Sequence, residues 1–217
     1  MSRRRSVSGR ACFCACVFAA AVALPCAAIA DSNVPGAIAG LLPEGADPGK
    51  GSFEVMETEF GKSFGGNLQA TSFPGQRPSC VFAGTPELRI EIKGDTAFEA
   101  PPMLDMAIAM YQQDIDRAPA ATAGFATSFI ANAPDVVSVG PVKSEALGTG
   151  HVVYVEYAED CSGHPKGAKT RLSGFARRGA TQLNFNIVVA LDSAGTLQLA
   201  RQIIDRFDRM DIAGLTQ

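Results

Sequence analysis

Three groups of residues in this 217-residue chain have types and spacings that can do chemistry. The first is Gly61-Lys62-Ser63-Phe64-Gly65. It has the G-x-S-x-G form that exposes a serine nucleophile on a strand-to-helix elbow, and both histidines, His151 and His164, lie downstream where a base would follow. Ser63 with His151 or His164 is therefore the candidate catalytic set, and a small serine hydrolase is the alternative function. The flanking residues argue against it. An elbow needs a helix directly after the serine, whereas Gly65-Gly66-Asn67 is a poor helix start that runs into a strand pattern, so a hairpin turn accounts for Ser63 more simply. Gly61-Lys62-Ser63 also matches the end of a phosphate-binding P-loop, but Met56 occupies the place of its first glycine and the motif is absent.

The second group is Glu159-Asp160-Cys161-Ser162-Gly163-His164, which combines carboxylates, a thiol and an imidazole. Neighbouring residues in a turn point apart, and no pair of histidines has a ligand spacing, so the segment reads as a solvated loop pinned by Cys161, with no metal and no cofactor expected. His151 opens a strand and reads as a hydrogen-bonded surface or edge residue. The third group is the cysteines, whose meaning depends on the start of the chain.

Arg3, Arg4, Arg5 and Arg10 precede an apolar run over residues 11–24, and Ala28-Ile29-Ala30 follows as an A-x-A site. That order is the pattern of a cleavable secretory signal over residues 1–30, with the cut before Asp31. Pro25 interrupts the run before it reaches the roughly 20 apolar residues of a spanning helix, so no stable membrane anchor is expected. The paired arginines leave both the general secretory and the twin-arginine routes open. Removing the signal takes away Cys12, Cys14, Cys16 and Cys26 and leaves Cys80 and Cys161. Two thiols in an oxidising compartment, periplasmic or extracellular, predict one structural disulfide. It closes a loop of about 80 residues, a constraint on the unfolded chain of order 4 kcal/mol.

The cut also takes the net charge from −3 to −7. With no basic cluster longer than Arg177-Arg178, the chain is a poor partner for nucleic acid or anionic lipid. No tryptophan and three tyrosines leave little for an aromatic stacking platform.

Residues 31–51 are rich in Gly, Pro and Ala and read as an irregular lead-in to a single domain over residues 52–212. Strand patterns follow at residues 52–60 and 67–73, joined by a turn, and at 87–93, where Leu88, Ile90 and Ile92 alternate with Arg89, Glu91 and Lys93. Pro101-Pro102 opens a helix whose apolar stripe is Leu104, Ala107, Ile108, Tyr111 and Ile115; Pro119 ends it. Met103, Met106 and Met110 lie beside that stripe and read as core or core-edge residues. A second short helix is open between residues 120 and 133. Strands follow near 136–143, 151–157, 170–177 and 182–191, with 151–157 apolar on both faces and so placed centrally. A final helix, capped at Asp192 or Ser193, presents Leu197, Ala200, Ile203, Ile204 and Phe207.

Short turns between successive strands favour antiparallel pairing, and each amphipathic helix needs a sheet to cover. The expected architecture is α+β, an antiparallel sheet of about six strands covered by two long amphipathic helices. The run Gly174-Phe175-Ala176-Arg177-Arg178-Gly179, the segment 184–191 and the helix 197–207 resemble the PsbP-like superfamily over the carboxy-terminal third. That resemblance implies a non-catalytic binding or accessory module. The leading expectation is thus an exported interaction domain that offers a sheet face or loop to a protein or small ligand.

Overall fold

The computed structural model describes residues 34–72, 79–82, 88–162, 167–188 and 192–217. The signal segment, its cut at Asp31 and His164 lie outside the described residues. Seven strands form one antiparallel sheet: β1 Asp47–Thr58, β2 Gly61–Ser72, β3 Leu88–Asp95, β4 Val136–Leu147, β5 Gly150–Glu159, β6 Gly167–Arg178 and β7 Thr181–Ile187. Their order is β1-β2-β3-β7-β6-β5-β4, so the chain leaves the sheet after β3, re-enters at the far edge and walks back to close the middle. The helices are α1 Gly36–Ala39, α2 Met103–Phe125 with a π-helical continuation Ala126–Ile130, and α3 Ser193–Arg209.

The expected α+β arrangement of about six strands under two long amphipathic helices is corrected. Among the described residues strand outweighs helix, there are seven strands, and of the two long helices α3 alone is strongly amphipathic. Asp192 caps α3 by accepting from the Gly195 amide at 2.8 Å, and Leu199, Ala200, Ile203, Ile204 and Phe207 sink into the sheet. They meet Leu88, Ile90 and Ile92 of β3, Leu172 and Ala176 of β6, and Leu183, Phe185 and Ile187 of β7, all essentially inaccessible to water. Each Leu, Ile or Phe among them contributes roughly 1.5–3 kcal/mol of burial. Ile38 and Leu41 join the same cluster, so the Gly/Pro-rich segment at 34–46 seals the core at the β1 end.

The other face is covered differently. α2 packs on β4, β5 and β6 through small residues, Ala107, Ala118 and Thr122, which bring its backbone close to the strands. It runs through Pro119 rather than ending there. β5 is buried on both faces because α2 and α3 sandwich it. It is next to the β4 edge, and the central position belongs to β7. Two-sided apolarity therefore reports two covering helices and not a central strand.

Candidate binding surface

Antiparallel partners share a face, so the register fixes which side chains look away from α3. Ser63 stands opposite Asp95, Gly65 opposite Lys93, Asn67 opposite Glu91, and Gln69 opposite Arg89. The rows continue onto β7, where Lys93 meets Gln182, Glu91 meets Asn184, and Arg89 meets Asn186. α2 covers this face over β4 to β6 and leaves it open over β1 to β3, where Asn67, Arg89, Glu91 and Lys93 are exposed. The floor is held by its own hydrogen bonds: Asn67 Nδ2 donates to Ser52 Oγ and Ser173 Oγ donates to Asn186 Oδ1, both at 2.8 Å.

Two clefts lie on this open half. One, of about 250 Å3, runs between Ala107 and Met110 of α2 and the strand residues Ser63, Lys93 and Gln182; Gln182 Nε2 donates to the Ala107 carbonyl oxygen at 3.3 Å. The second, of about 440 Å3, lies over Gly65 between Met56 and Glu54 of β1 and Lys93 of β3. Lys93 borders both, so the two clefts, together termed the groove, adjoin along the open face between α2 and the outer hairpin. Gly65 keeps it open, since a β-carbon there would meet no atom within 4 Å. Met110 lines the first cleft and Met56 the second, and the other methionines of α2 are exposed as well. Met56 is 60% exposed, and Met103, Met106 and Met110 are 37, 45 and 52% exposed. The expectation that the α2 methionines belong to the core or its edge is therefore overturned: Ala107, Ala118 and Thr122 take the packed stripe and leave the thioethers outside.

Among the described residues, Ser63 and His151 are not brought together. Ser63 lies within β2, opposite Met56 and Asp95, neither on a strand-to-helix elbow nor in the turn expected for it. His151 opens β5, and its Nε2 lies 2.8 Å from Ser144 Oγ of β4. β3, β7 and β6 stand between β2 and β5, which puts Ser63 and His151 roughly 19 Å apart at about 4.8 Å per strand. His164 lies outside the described residues.

The Cys80–Cys161 disulfide is formed, across a sequence separation of 81. Both thiols flank Glu159 but are committed to each other, so they are not available as metal ligands. Glu159 forms an ion pair with Lys169, each side chain 1% exposed, and Ser79 Oγ donates to Glu159 Oε2 at 2.8 Å. Sequence reasoning placed Glu159 in a solvated loop and passed over Lys169. The alternation of β6, with Thr170 and Leu172 facing α3, is the signal that puts Lys169 on the α2 side. Beside this pair, burial pushes the Tyr157 phenol up to about 12 against the opposing pull of the Arg171 charge. Desolvation likewise lowers Arg171, whose guanidinium stacks 3.8 Å from the centre of the Phe125 ring. Phe82, Phe125 and Phe129 close over this cluster, which makes it a packed polar core and not an open site.

No helix among the described residues is long and apolar enough to cross a membrane. No family model and no curated protein matches the chain. Among solved structures, the extracellular domain of PknH from Mycobacterium tuberculosis is similar at 13% identity and a TM-score of 0.37, over 80% of this chain and 90% of that one. A likeness that weak carries no argument about fold or function.

Proposed function

We propose that the chain is an exported, disulfide-stabilised binding domain that takes its ligand in the open groove on the β1–β3 half of the sheet. The disulfide supports the export reading, because such bonds persist in oxidising compartments. The observation that carries the binding reading is the groove itself: polar amide and charged groups on its floor, thioethers on its rims, and a glycine where any side chain would fill it. Such a surface suits an amphipathic ligand, whose apolar part lies against the methionines and whose polar part meets Asn67, Glu91 or Lys93. The cut before Asp31 and a periplasmic or extracellular destination belong to the same proposal.

A photoreactive side chain placed at Glu91, exposed on the floor of the cleft over Gly65, tests it without filling the space. Irradiation in the native compartment is expected to give a discrete adduct, while the same group at exposed Arg201 on α3 gives none. Equal labelling at both positions, or none at Glu91, contradicts the reading.

A further inference from the structure

The five methionines after Met1 are unevenly placed. Met210 is buried in the core, whereas Met56, Met103, Met106 and Met110 all reach solvent. Burial does not explain the exposed four. Leucine matches methionine in helix preference and apolar surface, so what methionine adds at an exposed helical site is its sulfur. Met103, Met106 and Met110 stand at i, i+3 and i+7 of α2, a spacing that stacks them on one stripe with neighbouring β-carbons about 5–6 Å apart. Ala107 and Ala109 flank the stripe on its two sides, too short to cover the sulfurs. The cleft beneath Met110 holds Lys93 and Asp95 together, so its near charges offset one another and do not repel a cation.

We propose that this α2 stripe is a thioether site for a soft monovalent cation of the copper(I) or silver(I) class. Thioethers select such ions over hard divalent ones, and a flexible, exposed side chain lets two or three sulfurs converge on one ion. The inference rests on the reading of this surface as a binding face but needs only the α2 methionines. Binding involves no change of oxidation state and no thiol.

Silver(I) is the probe, because it is redox-inert. It is titrated into the exported protein with the Cys80–Cys161 disulfide intact and any free thiol alkylated, and is followed by native mass spectrometry and by the methionine methyl resonances. One silver ion per chain is expected, with shifts at Met103, Met106 and Met110 and none at Met210, the internal control. Met106→Leu with Met110→Leu keeps volume and helix preference and is expected to weaken binding by on the order of tenfold or more. Absence of a silver adduct, a Met210 shift equal to the others, or undiminished binding in the leucine variant overturns the proposal and marks the stripe as a plain apolar surface. The Glu91 crosslink reads the groove without metal, so a silver failure beside a positive crosslink sinks this inference alone.

Discussion

Glu159 and Lys169 leave water together, and that sets the consequences of changing either. Two ions that are each 1% exposed are held by their mutual attraction and by Ser79, and removal of one strands the other in an apolar setting. Lys169→Met is expected to cost about 3–5 kcal/mol in urea unfolding, whereas Lys169→Met with Glu159→Gln costs less than that single change, because no buried charge is left over. Tyr157 adds a pH dependence of known sign. Its folded pKa of about 12 lies above the ordinary value of 10, so the neutral phenol is favoured by folding. The associated stability is full below pH 10 and drains away as pH rises from 10 towards 12, by roughly 2–3 kcal/mol. Tyr157→Phe should lack that alkaline loss; parallel pH profiles for the two proteins would contradict it.

At the scale of elements, the alternation of β3 and β7 and the stripe of α3 were readable because one face of each is buried against a single apolar partner. Leu88, Ile90 and Ile92 point inward and Arg89, Glu91 and Lys93 outward, as the period of two demands. The errors have equally local causes. Asp47, Pro48 and Gly49 look like loop residues, yet β1 is an edge strand, where a proline is tolerated and bulges absorb the irregular register. Pro119 looks like a stop, but packing of Ala118 and Thr122 on the sheet holds α2 together across it. Close approach between strands also leaves its mark. A β-carbon at Gly174 of β6 would run into the Phe185 ring of β7, so Gly174→Ala is expected to destabilise by about 1–3 kcal/mol, with partial recovery when Phe185→Leu is added. Full stability in the single variant would show that the ring can move aside.

For the whole molecule, the disulfide and the sheet act on different parts. Cys80–Cys161 ties the segment before β3 to the end of β5, on the side where Phe82 packs against Tyr157. Replacing both cysteines by serine should lower stability by up to roughly 4 kcal/mol through the loop the bond closes, without opening the α3 core. The pairing was legible from two remaining thiols. The groove was not, because it depends on where α2 stops covering the sheet, and that is set by contacts far apart in sequence. The separation of Ser63 from His151 was hidden for the same reason, since the sheet order that sets it appears in no local pattern. The most direct measurement is native mass spectrometry of the exported protein and of its Gly65→Phe variant. The account predicts a chain beginning at Asp31, lighter by the hydrogens lost in disulfide formation, carrying a ligand that the variant has lost while its melting temperature is kept. A chain intact from Met1 with both thiols free, or a ligand held equally by the variant, would contradict it.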